Sequence, residues 1–335
     1  MSVQYKAVYW NPAKRRYDVA IALGVLLFLG VFIGLTAARN PSATAETLVI
    51  RGTSLTAFFL LHVILSIGPL ARLNTAFLPL LYNRRHLGVT MFLLALTHAV
   101  FAIVQFHALG DVNSLVSLLT THAPFELFGL AALIVLFFMA ATSHDFWLNA
   151  LSPRVWKTLH MGVYFAYALL IAHVAFGALR AETNPALTAV CAMGAATVTG
   201  LHLAAGWRER RLDERTPEST AGLIEVGRAL DIPEKRARIV SAGGERVAIF
   251  RYDGKISAIS NVCQHQNGPL GEGRIVDGCV TCPWHGYQYL PESGASPPPF
   301  LEKVATYRTR VAGGVVYLDP RPCAPGTPVE PSRIE

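Results

Sequence analysis

The chain has 335 residues, of which 52% are hydrophobic and only 15% charged. That balance excludes an ordinary water-soluble domain, in which about a quarter of residues are charged. The net charge of +7 resides mostly in short loops beside apolar runs, so no nucleic-acid partner is read from it.

In chain order, residues 1–17 form an N-terminal segment carrying Lys6, Lys14, Arg15 and Arg16. Six apolar runs follow, at about 18–38, 52–71, 87–107, 125–142, 157–178 and 186–206. Each is long enough to cross a bilayer as a helix. The first is longer than the apolar core of a signal peptide, and more spans follow it, so it reads as a retained helix. Arg72, Arg84, Arg85, Arg154, Lys157, Arg208, Arg210 and Arg211 flank one side, whereas the other shows Arg39, Arg51 and Arg180. The positive-inside rule then places both termini in the cytoplasm of a multi-pass protein of the cell (inner) membrane, in contact with lipid.

The spans contain His62, His98, His107, His160, His173 and His202, with His86 at a boundary. Ionisable residues in lipid are costly and mark function, and imidazole pairs in a helical bundle suit b-type haem. At a rise of about 1.5 Å per residue, His98 lies about 18–20 Å in from Arg84–Arg85 and His173 about 24 Å in from Lys157. These two are expected to share a haem in the outer half. His160 lies about 5 Å from the cytoplasmic edge and is expected at a second, inner haem with His202 or His86. His62, near mid-depth, fits either. Thirteen residues separate His160 from His173, which puts them about 140° apart on a straight helix. A bulge or different neighbours must account for that. His107 and His122 read as core residues.

Residues 207–220, "WRERRLDERTPEST", read as a charged juxtamembrane linker. From 221 to 319 the pattern turns to short alternating segments, with Gly243-Gly244 and Asp253-Gly254 as hairpin turns, predicting a small antiparallel β-domain. Residues 320–335 are Pro-rich and predicted disordered. There is no Gly-rich motif of the Rossmann type, so no NAD(P)H or FAD site is expected in this chain. The predicted fold class is a membrane α-helical bundle of six transmembrane helices (18–206) plus a small all-β domain.

The β region holds Cys263-x-His265 and Cys282-x-x-His285. Two thiolates and two imidazoles also make a structural zinc set, but zinc fingers place the cysteines together and then the histidines. Here each loop supplies one of each, which suits a [2Fe–2S] cluster with two thiolates on one iron and two imidazoles on the other. Neutral imidazoles raise the reduction potential into the range of about −150 to +300 mV. Of the other cysteines, Cys191 and Cys279 read as small buried hydrophobes and Cys323 lies in the tail.

The stretch "NVCQHQNGPLGEGRIVDGCVTCPWHGYQY" resembles a Rieske ferredoxin domain of the oxygenase-associated kind. It lacks the extra cysteine in each loop found in respiratory Rieske proteins, and Tyr287 stands where those have serine. The resemblance therefore implies a lower-potential cluster, with Tyr289 placed to hydrogen-bond a ligand sulfur. Gln264 departs from the usual ferredoxin proline. The stretches "LSIGPLARL", "RRHLGVTMFLLALTH" and "WKTLHMGVYFAYALLIAHV" resemble the ferric-reductase-like transmembrane family. They are most similar to the haem-binding membrane subunit of the periplasmic methionine-sulfoxide reductase system. That resemblance implies b-haem, one or two, with His98, His160 and His173 as ligands; His62, His202 and His86 fall outside its pattern.

The expected function is transmembrane electron transfer between a cytoplasmic Rieske cluster and b-type haem. The flow is towards quinone or an acceptor on the outer face, and a separate cytoplasmic reductase acts as donor. The chain would thus be an oxidoreductase component, and no residue is assigned a catalytic role of its own. Two other readings use the same residues: a ferric or cupric metalloreductase drawing on Asp111 and His122, and a redox sensor using the cluster. A terminal oxygenase is not expected, since that activity needs a mononuclear-iron set of two histidines and a carboxylate and only a short tail follows the cluster region in this sequence.

Overall fold

The computed structural model describes residues 12–81, 84–108, 113–120, 123–143, 147, 151, 153–181, 185–214, 219–220, 222–265, 267–283 and 286–334. The described residues divide into two compact units, one within Pro12–Pro69 and Asn83–His202, the other within Leu70–Tyr82 and Leu203–Glu335.

The long helices are α1 (Pro12–Arg39), α2 (Ala45–Leu73), α4 (Arg84–His107), α6 (Pro124–Ala141), α7 (Pro153–Phe176) and α9 (Pro185–Glu214). Short helical turns α3 (Leu78–Leu81), α5 (Ser114–Leu119) and α8 (Ala178–Ala181) lie between them. Among the described residues, six helices are long and apolar enough to cross a membrane. This is a multi-pass membrane protein. Leu27, Phe165 and Leu203 stay exposed on the helices, a surface that matches lipid tails as apolar as leucine.

Helix α6 packs along α7 and against α4. Ala132 and Ala166 are fully buried on α6 and α7, and such small side chains let helix backbones approach closely. The charged segment from Trp207, expected to be a linker, continues α9 as far as Glu214. Arginine, glutamate and leucine are good helix formers, and no breaker precedes Pro217.

In the other unit, β2 (Leu223–Arg228) pairs with β1 (Ser219–Thr220) and β11 (Val315–Leu318), and β11 pairs with β10 (Thr309–Ala312). A second sheet runs β12 (Ser332–Arg333), β5 (Lys255–Ser260), β4 (Glu245–Tyr252), β3 (Arg236–Ala242), with β9 (Thr306–Tyr307) also on β5. A third holds β6 (Arg274–Val276), β7 (Cys279–Thr281) and β8 (Gln288–Tyr289). Both predicted hairpin turns are present. Asp253 and Gly254 have φ of 47° and 71°, the conformation that Asp-Gly adopts in a tight hairpin.

Strand β4 is covered on both faces. Val247 and Ile249 enter a core with Ile224, Ile256 and Leu318, while Ala248, Phe250 and Tyr252 enter another with Leu270, Val280, Tyr287 and Tyr289. The second core contains Cys263 and Cys282.

The tail beyond Pro320, expected to be disordered, is ordered. Cys323 N–H donates to Thr306 O at 2.8 Å, Val329 N–H to Glu292 O at 2.7 Å and Ile334 N–H to Gly254 O at 2.9 Å. β12 then pairs with β5 through Ser332–Ile256 and Arg333–Lys255. Proline removes donors but leaves carbonyls and the neighbouring N–H groups able to bond, so Pro-rich composition did not prevent docking.

Candidate functional site

The loop carrying Cys263 and His265 is a tight turn. Cys263 N–H donates to Gly268 O at 2.9 Å and Asn267 N–H to Cys263 O at 2.6 Å, with Val262 bridged to Pro269. Asn261 braces it, accepting Gly271 N–H on its side-chain oxygen at 2.6 Å. The second loop closes through Cys282 N–H to Tyr287 O at 2.7 Å and Gly286 N–H to Cys282 O at 2.9 Å. The loops meet across Gly273, where any Cβ would run into Thr281 O; only glycine tolerates that approach.

Cys263 and Cys282 are buried. Tyr289 OH lies 3.4 Å from Cys263 Sγ and accepts Gln264 N–H at 3.0 Å, so its own proton is available to the sulfur. The His265 ring stacks on Tyr287 at 4.7 Å and 12°. Tyr287 OH donates to Glu302 Oε2, a partner that no sequence pattern had picked out. Burial, then the Glu302 hydrogen bond, pushes the Tyr287 phenol up; burial, then the neighbouring Cys263, does the same for Tyr289. Both therefore stay protonated donors. His285, Trp284 and Gln266 lie outside the described residues. Among the described residues no group of three metal-binding side chains closes on one point. The donor set still fits an iron–sulfur cluster: two buried thiols, an adjacent imidazole and a phenol aimed at sulfur.

Glu272, in the same loop, is surrounded by charge. Glu209 pairs with Arg72 at 3.3 Å and with Arg246 at 3.6 Å. Burial pushes the Glu272 carboxyl up to about 7, opposed by Arg72, Arg208 and Arg246 and reinforced by Glu209.

In the helical unit, His98 on α4 and His173 on α7 face each other, with ring centres 6.3 Å apart and planes at 74°. Two metal–imidazole bonds of about 2 Å on opposite sides of one iron place ring centres about 6 Å apart. Each Nδ1 meets a carbonyl on another helix: His98 to Ile50 O on α2 at 3.1 Å, His173 to Phe125 O on α6 at 2.6 Å. A carbonyl only accepts, so Nδ1 carries the proton and Nε2 keeps its lone pair for a metal. The residues fit a haem held between two imidazoles.

The remaining histidines are arranged differently. His62, His160 and His202 donate Nδ1–H to carbonyls of their own helices, Phe58, Trp156 and Val198. Their Nε2 atoms meet hydroxyls: Tyr167 OH at 3.0 Å, Ser143 Oγ at 3.5 Å and Tyr164 OH at 2.9 Å. His86 Nδ1 lies 2.8 Å from Asp18 Oδ1. Among the described residues no ring contact joins His160 to His86 or His202. His160 and His173 lie on one continuous helix; His173 meets Phe125 O at the start of α6, whereas His160 meets Ser143, two residues beyond its last residue. His107, read as a core residue, holds Ser117 Oγ at 3.0 Å and Glu126 Oε2 at 3.1 Å. His122 and Asp111 lie outside the described residues.

Two family models match, one after the other. Residues 51–171 match the ferric reductase like transmembrane component and residues 222–308 the Rieske [2Fe-2S] domain. A ferric-reductase-like membrane region followed by a Rieske region makes this a membrane redox protein. The anthranilate 1,2-dioxygenase ferredoxin subunit of Burkholderia cepacia is 36% identical over 87 residues, 26% of this chain and 79% of that protein. The biphenyl dioxygenase ferredoxin subunit of Pseudomonas sp. (strain KKS102) is 35% identical over 27% of this chain and 84% of its own. Cholesterol 7-desaturase nvd 1 of Ciona intestinalis is 30% identical over 30% of this chain, which spans only 22% of the desaturase. Among solved structures, the ferredoxin of carbazole 1,9a-dioxygenase from Nocardioides aromaticivorans IC177 aligns over 30% of this chain and all of its own, at 22% identity and a TM-score of 0.29.

Proposed function

We propose that this protein carries single electrons across a membrane, between a [2Fe–2S] cluster held by Cys263, His265, Cys282 and His285 and b-type haem held by His98 and His173. The observation that carries the reading is the facing His98–His173 pair, 6.3 Å between ring centres, with both Nδ1 protons committed to carbonyls. In this reading residues 18–206 are the haem-binding domain and 221–319 the cluster domain. His160 is kept as a candidate ligand of a second haem. The charge bias of the loops puts the cluster domain and both termini in the cytoplasm of an inner membrane.

When bound, haem iron supplies a one-electron couple inside the bilayer. His98 and His173 would hold it through Nε2, because the Ile50 and Phe125 carbonyls retain the Nδ1 protons. At the other end Tyr289 donates towards Cys263 sulfur, which stabilises the more negative, reduced state of whatever that sulfur binds. The small residues on α6 and α7 let the helices close around the pair. A cytoplasmic reductase is the donor in this scheme. The acceptor is quinone or a molecule on the outer face.

Absorption and EPR spectra of the purified protein test it. Dithionite should produce a b-type haem band together with a Rieske EPR signal. A preparation with the Rieske signal and no haem band would refute the transmembrane relay.

A further inference from the structure

The ring of His173 presses into helix α6 at one particular place. Its Nδ1 is 2.6 Å from Phe125 O, and four residues on, one helical turn, stands Gly129. A methyl group on Gly129 would lie 2.8 Å from His173 Nδ1 and 2.9 Å from Cε1, closer than real side chains come. Glycine in a helix interior is less favourable than alanine, and here that absent Cβ is what admits the imidazole to the carbonyl. The turn is also fastened. Glu126, the next residue after Phe125, is joined to His107 Nε2 at 3.1 Å, and His107 Nδ1 to Ser117 Oγ at 3.0 Å. Thus α4, α5 and α6 are tied together beside the seat.

Gly194 gives a contrast. A methyl there would stand 2.5 Å from His62 Nε2, so that glycine admits the opposite edge of the ring. At His62 the nitrogen needed for a metal faces a helix backbone. At His173 the Nδ1–Cε1 edge meets the glycine, and the ring centre lies 6.3 Å from that of His98.

We infer that Gly129 and the Phe125 carbonyl form a positioning seat for His173, with the Glu126–His107 pair as its fastening. The seat sets the ring's tautomer and increases its donor strength towards iron. This rests on the proposed haem ligation. An imidazole whose Nδ1–H is polarised by a carbonyl binds metal more strongly and favours the oxidised ion. A ring displaced from the seat loses both effects.

The test uses the full-length membrane protein. In the wild type, a low-spin haem EPR signal that is lost in His173→Ala supports ligation by His173; its absence from the wild type would overturn the ligation reading and the seat with it. Gly129→Ala should lower haem affinity about 10- to 100-fold, the usual cost of losing an outer partner of a ligand. It should also alter the low-spin g-values and raise the haem potential. Gly162→Ala is the control: it lies on α7, and its added methyl would meet Val135 at 3.4 Å, a distance a side chain can absorb. It should leave spectrum and potential unchanged. Wild-type haem with unaltered affinity, g-values and potential in Gly129→Ala would overturn the seat while leaving the ligation intact. Should Gly129→Ala not accumulate, Glu126→Ala decides, since it frees the turn without adding volume: shifted g-values and potential support the seat, unchanged values overturn it.

Discussion

In the β unit, Cys263 and Cys282 sit on loops held by their own backbone turns, close to one another along the chain. In the helical unit, His98 and His173 are 75 residues apart, and each is oriented by the carbonyl of a third or fourth helix. The loop set is a local device: its amides, glycines and proposed ligands occupy a few dozen residues. The helical set exists only after α2, α4, α6 and α7 have assembled. Damage to one should therefore leave the other largely intact, and the two should fail differently.

The largest effects break one set at a time. Cys282→Ser should abolish the Rieske EPR signal and leave the haem band of the membrane fraction in place. Coupled loss of both would contradict independent construction. Conversely, His98→Ala or His173→Ala should remove the low-spin haem signal with the Rieske spectrum retained. Haem content unchanged in both variants would show that the ligands lie elsewhere.

A smaller effect concerns pH. Glu272 has an ordinary value of 4.5 and is raised to about 7 in the folded protein. Between those values the folded chain holds a proton that the unfolded chain has released. Its contribution to stability is therefore complete below about pH 4.5 and lost as pH rises through 7, by up to roughly 3 kcal/mol. Thermal loss of the cluster's visible circular dichroism should shift to lower temperature between pH 5 and 8, and Glu272→Gln should flatten that slope. An equal slope in the variant would assign the dependence to another group. The smallest effect is Tyr289→Phe, which removes one hydrogen bond to a ligand sulfur. A neutral hydrogen bond is worth about 1 kcal/mol, so the cluster potential should fall by a few tens of millivolts, as a tenfold change in a one-electron couple is about 59 mV. Protein-film voltammetry reads this directly, and an unchanged potential would show that the phenol does not act on the sulfur.

The same local-versus-assembled distinction explains what was legible in the sequence. The Rieske region could be read from Cys263-x-His265 and Cys282-x-x-His285 because cysteine, glycine and turn are adjacent in the chain. The six apolar runs and both hairpin turns were equally plain, since hydrophobic length and Asp-Gly chemistry are local. His98 and His173 could be matched by depth, but the difference between them and His62 or His202 could not. It depends on which carbonyl each Nδ1 meets, and sequence does not encode that locally. Gly129 carried a faint signal, a glycine inside an otherwise apolar helix. Glu302 and the Glu126–His107 pair carried none, because each is defined by a partner 15 or 19 residues away across a turn of the fold. The tail was misread because composition reports the propensity of an isolated segment and not the surface available to it.

That tail has a practical consequence. One edge of β5 is shared: β12 covers Lys255 and Ile256, while β9 covers Ala258 and Ile259. Trimming residues 321–334 would leave half of this edge with open amides and carbonyls, the template on which strands from other molecules add. A shortened chain would be prone to self-association through its sheet even with both proposed cofactor sites untouched.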